Sequence, residues 1–151
     1  MTRRTNTVKA AMAAVAIFLS GGGVASIALT GAAAATEVVD ETIIAQGAWT
    51  KKFANARGEW SIVERGGSRF VVLSDDFRTR SAPDLKIFLT PTSVAALTGD
   101  NATSGSVLIA PLADNRGGQE FEIPADVDLS DYASIAIHCE AYSKLWSAAA
   151  L

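Results

Sequence analysis

The chain has 151 residues and a formal net charge of −3, with a single cysteine and a single histidine. Residues 36–151 keep 10 of the 13 basic residues and all 16 acidic ones, so their net charge is −6. This length suits one small domain with one core. The acidic balance argues against nucleic-acid binding, which needs a basic surface, and against docking on anionic lipid.

The first 35 residues have the pattern of an export signal. Three basic residues lie among the first nine, and residues 10–35 contain no charged side chain. The small residues that end this run predict cleavage after Ala35. An uncleaved membrane anchor is the alternative, because the run is long enough to span a bilayer. We expect export to the periplasm, the cell envelope or the extracellular space, with residues 36–46 as a short leader to the domain.

From residue 47 to residue 151 the sequence predicts one small antiparallel β-sandwich. Short apolar or alternating runs are bounded by Gly, Pro, Asn and Asp, as in sandwich proteins. Between two of them, Arg65-Gly66-Gly67-Ser68 has the glycines that a tight hairpin turn requires. Single helical turns are expected only at residues 93–97 and 129–132. Strands are predicted over residues 59–64, 69–73, 85–89, 106–110, 119–123 and 133–139.

Cys139 ends the last of these predicted strands. Residues two apart in a strand share a face, so Ile135, Ile137 and Cys139 point toward the core. His138 faces the other way, and we expect it to be a hydrogen-bonded surface residue, which excludes a Cys139–His138 hydrolytic dyad. With no second cysteine to pair with, Cys139 is a packed small residue, a reactive thiol or a handle for an intermolecular disulfide.

The residue inventory limits the possible cofactors. The only methionines, Met1 and Met12, lie in the export segment, which leaves the domain one His and one Cys as soft ligands. A blue-copper site needs two His and a Cys, covalent haem needs a Cys-x-x-Cys-His motif, and structural zinc needs four ligands. We therefore expect no bound cofactor or metal. Calcium at Asp75 and Asp76, or at the group Asp126, Asp128 and Asp131, is less expected than solvated turn carboxylates.

Four segments resemble the signature of the DM13 domain family: residues 77–89, 118–124, 127–132 and 137–146. They follow one another in the family's order and cover nearly all of the chain from about Gly47 onward. The family is an extracellular β-sandwich type, often adjacent to DOMON and cytochrome-like modules. A redox or electron-transfer role that rests on a characteristic cysteine is implied for it, and that cysteine corresponds to Cys139.

The resemblance implies an exported domain with a thiol-based redox or electron-transfer role centred on Cys139. Its partner would be an unidentified redox protein or a small oxidant. The alternative is a non-catalytic binding or scaffolding module outside the cytoplasm, in which Cys139 is merely packed. No hydrolytic or cofactor-binding motif is present, so any enzymatic activity is at most a cysteine-dependent redox activity.

Overall fold

The computed structural model describes residues 40–151, which form two antiparallel β-sheets facing each other. The predicted all-β sandwich is confirmed. The strands in chain order are β1 (Glu41–Ala48), β2 (Thr50–Lys51), β3 (Glu59–Arg65), β4 (Ser68–Leu73), β5 (Leu85–Thr90), β6 (Val107–Pro111), β7 (Gln119–Ile123), β8 (Ser134–Cys139) and β9 (Lys144–Ala150). Two single-turn 3₁₀ helices lie at Leu129–Asp131 and Glu140–Tyr142.

The first sheet has the order β1-β3-β4-β7, and the second has the order β2-β9-β8-β5-β6. The hairpin between β3 and β4 forms where the sequence predicts it. Gly66 and Gly67 have φ values of 59° and 83°, a backbone region that glycine enters without steric cost. Strand β1 pairs with β3 from Glu41 onward, so the first sheet includes residues that the sequence analysis assigned to the leader.

The hydrophobic core lies between the two sheets. Burial of these apolar side chains is the main source of stability, at about 25 cal/mol per Å² removed from water. Trp49, Trp60 and Trp146 are buried in this core. The sheet residues at its centre are Ile62, Val71, Leu73, Ile87, Leu89, Ile123, Ile135 and Ile137.

A second, smaller apolar cluster covers the outer face of β8. The segment between β5 and β6 places Leu97 and Ala102 over Ala136, and both faces of β8 are consequently buried. His138 lies on this covered face and is only 4% exposed. The prediction of a surface histidine is therefore wrong, because a segment distant in sequence covers the face that strand alternation assigned to solvent.

The predicted export segment lies outside the described residues. Within residues 40–151, no helix is long and apolar enough to cross a membrane.

Candidate functional site

Cys139 lies at the end of β8, between Leu85 of β5 and Lys144 of β9. Its side chain shares the core face with Ile135 and Ile137, as strand alternation predicts, and it has no solvent-exposed surface. The Sγ–H group donates a hydrogen bond to the carbonyl oxygen of Pro83, at an S···O distance of 2.9 Å. The thiol is therefore enclosed, and its one polar partner is a backbone carbonyl.

The turn that contains Pro83 separates the sulfur from a surface depression. Ala82 and Asp84, the two neighbours of Pro83, both line this depression, which has a volume of about 450 Å³. It is also lined by the segment from Pro111, the last residue of β6, to Asn115. The residue whose carbonyl contacts the sulfur thus lies between two residues that line this depression.

An ion-pair cluster fixes the turn over the sulfur. Lys86 Nζ contacts a carboxylate oxygen of Glu140 and lies 3.2 Å from Asp84 Oδ1. The backbone N–H of Glu140 also donates to the carbonyl of Asp84, at 3.2 Å. Lys86 thus connects the residue after Pro83 to the residue after Cys139. Hydrogen bonds from Lys86 to Glu140 and to Asp84 raise the pKa of its ammonium group, which keeps it charged.

Asp84 has an unusual backbone conformation. Its φ of 58° lies in the left-handed region, which costs a non-glycine residue of the order of 1 kcal/mol. The turn holds this conformation through the contacts of its side chain with Lys86 and of its carbonyl with Glu140. We call the three side chains of Asp84, Lys86 and Glu140 the latch. The latch could not be predicted from the sequence, since its members meet only through the pairing of β5 with β8.

His138 does not act on the Cys139 thiol. It faces the opposite side of β8, where its Nε2 lies 3.0 Å from the carbonyl oxygen of Gly99. Phe88 packs edge-on against the ring, with 6.2 Å between ring centroids. The Nδ1 atom of His138 is buried without a hydrogen-bond partner. The imidazole of His138 and the thiol of Cys139 therefore lie on opposite faces of β8.

The acidic residues considered as calcium ligands are placed at separate turns. Asp128 caps the first 3₁₀ helix by accepting hydrogen bonds from the backbone N–H and the hydroxyl of Ser130, at 2.9 and 2.8 Å. These bonds lower the pKa of its carboxyl group. Asp76 accepts a hydrogen bond from Ser74 Oγ, at 2.6 Å. Within residues 40–151 no three His, Cys, Asp or Glu side chains are grouped so that they could hold a metal ion.

Comparison with known proteins identifies one family. The family model described as Electron transfer DM13 matches residues 50–151, which is more than half of the chain. The match includes Cys139 and all three latch residues. Neither the curated proteins nor the solved structures contain a significant match to the chain.

Proposed function

Because this chain belongs to the DM13 family of electron-transfer domains, we propose that the sulfur of Cys139 carries its electrons, in a domain that the cell exports. Membership of the family supports an electron-transfer role for the domain in general. The assignment to Cys139 rests on one observation: its sulfur contacts the carbonyl of Pro83, and both sequence neighbours of Pro83 line a surface depression. Export rests on the uncharged run that precedes the domain.

The residue inventory supports the sulfur as the carrier. Cys139 is the only sulfur-containing residue after Met12, and it is a free thiol. Sulfur is the side-chain atom with readily accessible oxidation states. The other electron-rich groups buried with it, the indoles of the core, lie in aromatic packing contacts such as that between Trp49 and Trp60, with centroids 6.4 Å apart. Such contacts are typical of core packing.

Burial selects the size of the oxidant. A partner protein's disulfide has to bring a sulfur atom into line with Cys139 Sγ, and the Pro83 turn blocks that approach. A small hydroperoxide reaches the sulfur after a local opening of the turn. The sulfur then attacks one peroxide oxygen, so that an S–O bond forms as the O–O bond breaks, and the thiol proton passes to the departing oxygen. The products are the sulfenic acid and an alcohol or water, and two electrons have passed from the sulfur to the peroxide.

Return to the thiol requires an external reductant. A small thiol condenses with the sulfenic acid, forms a mixed disulfide and releases water. A second thiol attacks the mixed disulfide, leaves with the first one as a disulfide, and regenerates the Cys139 thiol. The cycle moves two electrons from two thiols to one hydroperoxide.

The test follows the free thiol through one cycle. The folded protein is treated with one equivalent of hydrogen peroxide, freed of excess reagent and reduced with glutathione, and the thiol titre is measured at each step. We expect the titre to fall and then to recover, while the far-UV spectrum stays constant. A titre that falls only after the protein is unfolded contradicts the proposal. Cys139→Ser is the control for peroxide consumption elsewhere in the chain.

A non-catalytic binding module is the second candidate function. Its supporting observation is that Cys139 has no exposed surface, as expected of a packed residue. In that case, Cys139→Ser leaves every partner interaction intact, and the native thiol does not react with peroxide or alkylating reagents. The same thiol titration therefore distinguishes the two functions.

A further inference from the structure

We propose that Arg57, Arg78 and Arg116 form a binding site for a small polyanion, a ligand with two or more carboxylate or phosphate groups. The three arginines come from three separate loop segments, and isolated backbone bridges connect Arg57 to Arg78 and Arg78 to Arg116. We call these three residues the arginine row. This site is independent of the thiol chemistry proposed for Cys139.

Backbone pairing sets the spacing of the row. Arg57 and Arg78 exchange two hydrogen bonds, with N···O distances of 2.9 and 3.2 Å. A pair of this kind has its Cα atoms about 5.5 Å apart, and both side chains project to the same side. The row therefore begins with two arginine side chains that leave the backbone at paired positions and project to the same side.

Arg116 joins the row through the second bridge. The hydrogen bonds on either side of it run from Thr79 N to Asn115 O, at 2.9 Å, and from Gly117 N to Phe77 O, at 2.8 Å. Opposite residues between such bonds are closer still, with Cα atoms about 4.5 Å apart. Three like charges thus follow one another across three adjacent segments.

Gly58 makes the close approach possible. Its φ is 82°, and a Cβ at this position would lie 2.8 Å from Phe77 Cα and 2.9 Å from Phe77 N. Any other side chain here would push the Arg57 segment away from the Arg78 segment. The backbone positions of Arg57 and Arg78 are consequently set by the fold.

The arginines of the row form no ion pair within the described part of the chain. Like charges directly opposite each other destabilise a pairing. All three arginines are exposed, and none of the four ion pairs among residues 40–151 includes any of them. The domain nevertheless places them together although its net charge is negative. An external anion would remove this repulsion.

The shape of the surface at the row favours a small ligand. The three arginines line a depression of about 370 Å³, and the other lining residues are Asn55 and Thr79. This volume is in the range of small-molecule sites, and no acidic side chain lines it. Guanidinium groups bind carboxylate and phosphate oxygens in a two-pronged manner, and three adjacent ones suit a ligand with several such groups. The three arginines also line a second depression, of about 510 Å³, together with Asp75 and Asp76.

The test is calorimetric titration of the full domain at low salt with two probes, pyrophosphate and the tricarboxylate tricarballylate. Their comparison distinguishes phosphate from carboxylate ligands. We expect saturable 1:1 binding of at least one probe, weakened about tenfold or more by Arg78→Gln, because a charge-assisted hydrogen-bond pair is lost. Arg80→Gln is the matched control, since Arg80 is exposed on the same segment but lines neither depression.

Thermal unfolding of the same variants separates a ligand site from a structural role. Arg78→Gln should keep or raise the melting temperature, because it relieves like-charge repulsion. Three results would overturn the proposal: no saturable binding of either probe, an equal loss of affinity in Arg80→Gln, or a lower melting temperature that accounts for the loss in Arg78→Gln. Tighter binding of a hexaglutamate peptide than of both probes would also overturn it, in favour of an acidic protein partner.

Discussion

Replacing Cys139 by serine and by alanine measures the hydrogen bond between its sulfur and Pro83. Alanine removes a fully buried sulfur, which costs about 1–2 kcal/mol in lost burial and residual cavity. It also leaves the Pro83 carbonyl without its donor, which costs about 1 kcal/mol more. Serine keeps a donor at nearly the same place, so it should cost only about 1 kcal/mol, for exchanging an apolar sulfur for a hydroxyl.

Urea unfolding followed by tryptophan fluorescence provides the two free energies of unfolding, because all three indoles are buried. The expected order of stability is wild type, then Cys139→Ser, then Cys139→Ala. Equal losses for serine and alanine would refute the hydrogen bond to Pro83. A loss near zero for both would show that the sulfur is at the rim and not in the core.

Three further predictions concern the latch, the backbone and the acid range. Lys86→Gln breaks the latch and should speed alkylation of the native Cys139 thiol by iodoacetamide, with little change in the rate for unfolded protein. Gly58→Ala should cost more stability than Gly66→Ala, since both have positive φ but only Gly58 faces a backbone clash. Asp128→Asn should destabilise the domain at pH 7, and this difference should shrink progressively as the pH falls below about 4, because a carboxyl whose pKa is lowered in the folded state loses its stabilising contribution as it becomes protonated. A difference unchanged at pH 3 would contradict the last prediction.

The strands that the sequence predicted are those whose local signals agree with their environment. Apolar and polar residues alternate along part of strand β3, and the two glycines that follow it favour the hairpin turn. The strand and the direction of its core-facing side chains can therefore be predicted from the local sequence. Strand β9 has three alanines in its last three positions, a residue with low strand propensity, and it was not predicted. Its formation depends on pairing with β8 and on burial of Ala148 and Ala149.

The candidate site was predictable only as far as β8 itself. Alternation placed Cys139 on the core face, and the structure agrees. The environment of His138 and the latch around Lys86 depend on segments far away in sequence, and no local pattern specifies them. The arginine row could not be predicted from the sequence either, because isolated backbone bridges between loops bring its members together. Long-range contacts of this kind can be identified only once the fold is known.

The most direct test of the Cys139 hypothesis is to trap its sulfenic acid in the folded protein. The domain is exposed to one equivalent of hydrogen peroxide in the presence of dimedone, and the adduct is located by peptide mass spectrometry. We expect a dimedone adduct on Cys139 that forms faster in Lys86→Gln than in wild type. When a thiol reductant is added after the peroxide but before dimedone, no adduct should form. An adduct that forms only in denaturant, in both proteins, would contradict it and leave Cys139 as a packed residue of the core.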